Sequence, residues 1–139
     1  MVQNQLSKES LRVNFSELVK NFLLPLSTII IIPYVYFGEN LINLISGSSF
    51  LDAYEPMLVL TIGYIIYLNT FWIRQLLLFS NLIQYHAVSR LISLVVFILA
   101  SLFFVDQFEA VGIAIALSLS MVAQKIYEFY AFNKYSEQN

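Results

Sequence analysis

The sequence predicts an all-α membrane protein with four transmembrane helices and both termini cytoplasmic. The first reason is composition: apolar residues make up 59% of the 139 and charged residues 12%, against roughly 45–50% and 25% in soluble domains. The second is a set of four apolar stretches that approach the roughly 20 residues a helix needs to cross a hydrocarbon core of about 30 Å. The third is that every cation falls on one side once those stretches are threaded through a bilayer.

Residues 1–17 read as an amphipathic cytoplasmic arm. Leu11, Phe15, Leu18, Val19 and Phe22 recur at helical spacing and lead into the first span. Lys8, Glu9, Arg12, Glu17 and Lys20 carry both signs of charge, unlike the head of a signal peptide. Residues 18–129 hold the spans: about Leu18 to Phe37, Met57 to Phe79, about Ala87 to Val105, and Ala110 to about Phe129. Residues 130–139 form a cytoplasmic tail. Only Asp106-Gln107-Phe108-Glu109 separates the third and fourth spans, which predicts a tight antiparallel hairpin. A surface helix of a soluble bundle keeps one polar face. Leu91–Val105 has no charged residue on any face.

The cations are Lys8, Arg12, Lys20, Arg74, Arg90, Lys125 and Lys134, all on the side of the termini. The opposite loops carry Glu39, Asp52, Glu55, Asp106 and Glu109 and no Lys or Arg. Cationic loops stay in the cytoplasm, which sets the orientation. Aromatic residues collect near the span ends, among them Tyr34, Tyr36, Phe103 and Phe104 outside and Trp72, Tyr127 and Tyr130 inside.

Several chemistries are excluded as expectations. The chain has no cysteine and one histidine, so thiolate catalysis and thiol or His-based metal sites have no residues to use. A net charge of −2 offers no basic surface to nucleic acid. No span carries a carboxylate in its middle for paired acid–base work or a proton relay. His86 sits at the cytoplasmic loop with no third group to orient its ring. No enzyme, catalytic residue, metal or cofactor is expected.

Four features remain. Gly63, Tyr67, Thr70 and Arg74 fall on one helical stripe, which continues to Asn81 if the helix runs on. The stripe either lines a cavity and meets an anionic substrate, or ends in an arginine snorkelling to the headgroups. His86 and Arg90 share a face and, with Arg74, either gather a phosphate-bearing lipid or serve topology alone. Pro25 and Pro33 are candidate hinges in span one. In span four, Gly112, Ala116, Ser120 and Ala123 make one small-residue face and Ala110, Ala114 and Ser118 another, so this helix is expected to be gripped from both sides.

Two segments carry a resemblance. Gly47-Ser48-Ser49-Phe50-Leu51-Asp52-Ala53 resembles the G-x-x-[FY]-x-x-A segment of the polysaccharide-exporter family, the Wzx-type flippases of the MATE-like superfamily. Val111-Gly112-Ile113-Ala114-Ile115-Ala116 resembles that family's G-A-A-x-A entry to its final helix, with Ile113 in place of an alanine. The resemblance implies the last third of a transporter of about twelve helices in two lobes with alternating access. It implies a lipid-linked oligosaccharide as substrate, moved across the inner (plasma) membrane for O-antigen or polysaccharide synthesis. Arg74 and Arg90, with Tyr67 and Thr70, would then meet its diphosphate and sugars. On that reading the chain is a part, and the preceding spans are supplied in the same chain or in trans. A small oligomeric drug or metabolite exporter and a non-transporting membrane subunit stay open beside it.

The charge distribution predicts that a reporter fused after Asn139 and one inserted at Ser49 read opposite sides of the membrane, which a protease-protection assay checks.

Overall fold

The computed structural model describes residues 17, 21–22, 24–79 and 81–135, and among these the chain is helical with no strand. The arm expected over 1–17 lies outside them but for Glu17, as do Lys8, Arg12, Lys20 and the end of the tail. The elements are α1 (Leu24–Ser46), a 3-10 turn (Ser48–Ala53), α2 (Tyr54–Asn69), α3 (Trp72–Phe79) and α4 (Ile83–Tyr135). Three stretches, Pro25–Ser46, Ser48–Leu78 and Ile83–Lys134, are long and apolar enough to cross a membrane. The chain is a helical membrane protein by that measure.

The first apolar helix runs further along the chain than hydropathy alone carries it. It ends at Ser46 rather than near Phe37, and Glu39 and Asn40 are exposed positions inside it. A short polar patch on an open face does not interrupt the backbone ladder. Gly47 does, with a φ of 91°, and its N–H closes the last turn on the Asn43 carbonyl at 3.0 Å.

The second apolar stretch bends where the sequence implies one helix. Around residue 70, side chains compete with the main chain for carbonyls. Asn69 Nδ2 donates to the Ile65 carbonyl at 2.9 Å, Thr70 Oγ1 to that of Ile66 at 2.7 Å, and Trp72 Nε1 to that of Asn69 at 3.0 Å. The backbone answers with tighter i→i−3 bonds from the N–H groups of Thr70, Phe71, Ile73 and Arg74. α3 then stops in a Schellman arrangement. Asn81 has a φ of 55°, its N–H reaches the Leu78 carbonyl at 3.2 Å, and Leu82 N–H reaches that of Leu77 at 2.8 Å.

α4 is one helix in name only. Glu109 leaves helical geometry at φ 49°, ψ −121°. A straight helix would hold His86 and Glu128 about 63 Å apart, yet their side chains are 2.7 Å apart. Two antiparallel arms, 83–108 and 110–135, therefore fold on each other. Gly112 makes so tight a reversal feasible, because a Cβ there would run into the Phe104 carbonyl of the first arm.

α2 packs between α1 and α4, and α3 covers the far end of α4. α1 runs antiparallel to α2, with Ser27 by Asn69 at one end and the Tyr54 hydroxyl donating to the Val35 carbonyl at 2.9 Å nearer the other. α2 runs parallel to the second arm: Ser118 Oγ donates to the Val59 carbonyl at 3.2 Å, and Lys125 lies over Tyr67. Arg74, Arg90, Lys125 and Lys134 thus gather at one end of the assembly, with Asp52, Glu55, Asp106 and Glu109 at the other. The one buried apolar cluster among the described residues, Ile73, Leu76, Leu77, Leu82 and Phe132, sits at the cationic end.

Gly63 has no room for a side chain against Ser118. Gly63→Leu, Gly112→Leu and Ala116→Leu should each push backbones apart at a cost of about 1–3 kcal/mol. Melting curves in detergent check this, with Ile113→Leu on an exposed face as the silent control.

Candidate functional site

The cationic end holds a polar cluster built on one carboxylate. Glu128 lies on the second arm of α4, and its side chain is 0% exposed. Its own helix supplies two partners at helical spacing: Gln124 Nε2 donates to Oε1 at 2.7 Å, and Lys125 Nζ donates to Oε2 at 2.9 Å. The first arm supplies two more. His86 Nδ1 lies 2.7 Å from Oε1, and since a carboxylate only accepts, that nitrogen carries the proton. Ser89 Oγ lies 3.0 Å from Oε1 and 2.7 Å from the His86 carbonyl, so its single proton serves one of them at a time.

Lys125 extends the cluster to a third helix. Its side chain is 4% exposed, and its ammonium stands 4.4 Å from the centre of the Tyr67 ring on α2. The Tyr67 hydroxyl accepts from Arg90 Nη2 at 3.5 Å. One ion pair, neutral on balance, therefore ties α2 and both arms of α4 together. Buried charges require this kind of compensation.

The expectation that His86 has no orienting group is corrected here, because Glu128 holds its ring. The trio of Ser89, His86 and Glu128 still differs from a hydrolytic triad. The serine hydroxyl faces the carboxylate and a carbonyl rather than the free ring nitrogen, and Ser89 is fully buried. Among the described residues no three His, Asp or Glu side chains gather to hold a metal ion.

The residues singled out from sequence are distributed as follows. Tyr67 and Arg90 belong to this cluster. Thr70 spends its hydroxyl on the Ile66 and Tyr67 carbonyls, at the wall of a cleft of about 340 Å³ that Trp72, Ile73, Val122 and Lys125 also line. Arg74 is exposed on α3, with no ion pair among the described residues, and the bend at residue 70 separates it from the Gly63–Tyr67 stripe. Gly63 is a packing residue, pressed on Ser118. Ser120 and Ala116 are buried, and Gly112 lies against the first arm. Pro33 lies inside α1, and Pro25 is its second residue.

Glu128, Gln124, Lys125 and Ser89 were not singled out from sequence. A signal existed: a hairpin folded near residue 108 sets His86 opposite Glu128, and Gln124 and Lys125 stand one turn before it. No protein-family profile, curated protein or solved structure matches this chain. The class that fold and cluster define is a helical membrane protein whose helices are pinned at one end by a buried ion pair.

Glu128→Leu should cost about 3–5 kcal/mol, because it strands Lys125 in a dry site. The double variant Lys125→Met with Glu128→Leu should recover the share owed to the stranded ammonium and leave that of the Gln124 and His86 donors. Detergent melts of the single and double variants measure the coupling, and strictly additive losses would deny it.

Proposed function

We propose that this chain is a four-span membrane unit with both termini cytoplasmic, and that it forms one wall of a path for a lipid-linked oligosaccharide. α1, the bent pair α2–α3 and the two arms of α4 provide the spans. The rise from Glu109 to Glu128 is about 28 Å, close to the thickness of a hydrocarbon core. The cationic end then faces the cytoplasm of a cell whose inner membrane hosts the protein.

The observation that carries the reading is the open row of helices. α1 packs on α2 and the 3-10 turn and leaves Ile29, Tyr36, Phe37, Leu44 and Ile45 largely uncovered. Alternating access requires walls on both sides of a midplane site, and an open row supplies one of them. Arg90, bonded to the Tyr67 hydroxyl, and Arg74, exposed on α3, suit a diphosphate arriving from the inner leaflet. The resemblance of Gly47–Ala53 and Val111–Ala116 to the polysaccharide-exporter segments supports the same substrate class. No covalent chemistry is required of the chain.

Complementation of a flippase-deficient cell tests this. Export should return only when the preceding spans are supplied, in the same chain or in trans. Arg74→Ala should then lower export further than Arg74→Lys. Full rescue by these 139 residues alone would replace the one-wall reading with that of a small oligomeric exporter.

A further inference from the structure

The cluster around Glu128 closes into a ring that carries a surplus positive charge. His86 Nδ1 and Lys125 Nζ both bond Glu128, Lys125 lies over the Tyr67 ring, and the Tyr67 hydroxyl accepts from Arg90 Nη2. Arg90 stands one turn after His86 on the same face of the first arm of α4, which completes the ring. Lys125 and Glu128 cancel each other, and both are buried. Arg90 is exposed and has no carboxylate partner among the described residues. Its guanidinium is the surplus cation, and Tyr67 occupies only one of its N–H donors.

His86 turns its open nitrogen away from the cluster. Glu128 can only accept, so Nδ1 carries the proton, and Nε2 on the far side of the ring is an acceptor while the ring is neutral. Nε2 makes no hydrogen bond among the described residues and is not one of the buried polar atoms left without a partner there. The side chain keeps 12% exposure, so Nε2 is where the ring opens to the outside of the cationic end. Helical side chains lean toward the N-terminus of their helix, which sends Arg90 back along its face toward His86. Cβ atoms at this spacing are about 6 Å apart, room for one tetrahedral oxyanion held from two sides.

A proton on Nε2 leaves the Nδ1–H bond to Glu128 intact, so the ring keeps its place. The charge it adds has no counterpart, because Lys125 already balances Glu128 at 2.9 Å. Ser89, Gln124 and the Tyr67 hydroxyl bring no charge, whereas Arg90, Arg74 on α3 and Lys134 further along the second arm are all cations. A protonated His86 therefore calls for an anion. An anion beside Arg90 in turn gains a second charged donor once His86 is protonated, so the two binding events support each other.

We propose that His86 and Arg90 form a proton-dependent binding site for a phosphate-type oxyanion, with Glu128 aiming the His86 ring. The anion, the phosphodiester of a lipid headgroup or a soluble phosphate, bonds Nε2–H of His86 and the open side of the Arg90 fork. The site needs neither the preceding spans nor an oligosaccharide, so it is independent of what the chain transports.

Nuclear magnetic resonance of the full chain in maltoside micelles, which contain no phosphate, tests it. His86 is the one histidine in the sequence, so a single labelled imidazole reports without any substitution. In the neutral form its nitrogen spectrum should place the proton on Nδ1. Sulfate, whose own charge is constant over this range, should bind about tenfold tighter at about pH 6 than at about pH 8, the worth of one charge-assisted hydrogen bond at a partly exposed site. By linkage, saturating sulfate should move the imidazole titration upward by about one pH unit, measured against chloride at equal ionic strength. His86→Asn, which keeps a donor toward Glu128, should hold sulfate at the weaker affinity at both pH values. Arg90→Gln, which keeps a donor toward Tyr67, should lose most of the binding. Phosphatidylglycerol doped into the micelles distinguishes the sources. A shift larger than that from sulfate, and absent in Arg90→Gln, assigns the site to a lipid headgroup; the reverse order assigns it to a soluble oxyanion. No shift with either anion, a pH dependence that survives His86→Asn, or a neutral ring protonated on Nε2 would each overturn the proposal. None of these readings involves export, so an empty site and a failed complementation are separate results.

Discussion

A carboxylate removed from water must be filled with donors and matched by a cation, and Glu128 imposes that demand on three helices. Gln124 and Lys125 come from its own turn of α4, His86 and Ser89 from the opposite arm, and Lys125 then rests on the Tyr67 ring of α2. None of these partners can leave without stranding a charge or a donor in a dry place. The cationic end of the molecule is therefore held by electrostatics and hydrogen bonds. Towards the other end the helices meet through absent side chains, at Gly112 on Phe104 and Gly63 on Ser118. Between hydrocarbon-facing helices, where lipid competes on equal terms with leucine, polar bonds and close backbone approach are the available forces.

The bend at residue 70 belongs to the same end. Asn69, Thr70 and Trp72 each donate to a carbonyl that a regular helix would give to its own backbone. The bend turns Ile73, Leu76 and Leu77 onto Leu82 and Phe132, which places the apolar cluster next to the ion pair. It also spends the Asn69 amide nitrogen on the Ile65 carbonyl and, at 3.4 Å, on Ser27 Oγ of α1. A local contest for hydrogen bonds thus ties the end of α2 to its neighbours on both sides.

Among the described residues, α1 draws its burial from α2 and the 3-10 turn. Its inward contacts are few, chiefly Gly38 against the Tyr54 ring, the buried Ile42, and the bond from Tyr54 to the Val35 carbonyl. An apolar helix so thinly packed would be a liability in water and is ordinary in lipid, where its exposed leucines and isoleucines meet chains of their own kind. A helix held along one edge is also the element with the least to lose when it shifts.

The sequence by itself determined the helical class and the apolar character of the spans, because both are properties of runs of residues: Leu91–Val105 carries no charge on any face. The reversal between Val105 and Ala110 was legible for the same reason, since few residues separate two apolar runs. The extent of α1 was not legible, because hydropathy registers Glu39 and Asn40 as a loop while helix termination depends on the dihedral angles of Gly47. Nor was the bend at residue 70, which arises from the directions of three side chains. The Glu128 cluster is the clearest case. Each member alone looks like a polar residue near the cytoplasmic end of a span, and only folding the hairpin brings Glu128 within 2.7 Å of His86, some forty positions away. Charge placement is written along the chain, but charge pairing is a distance between helices, and packing alone sets that distance.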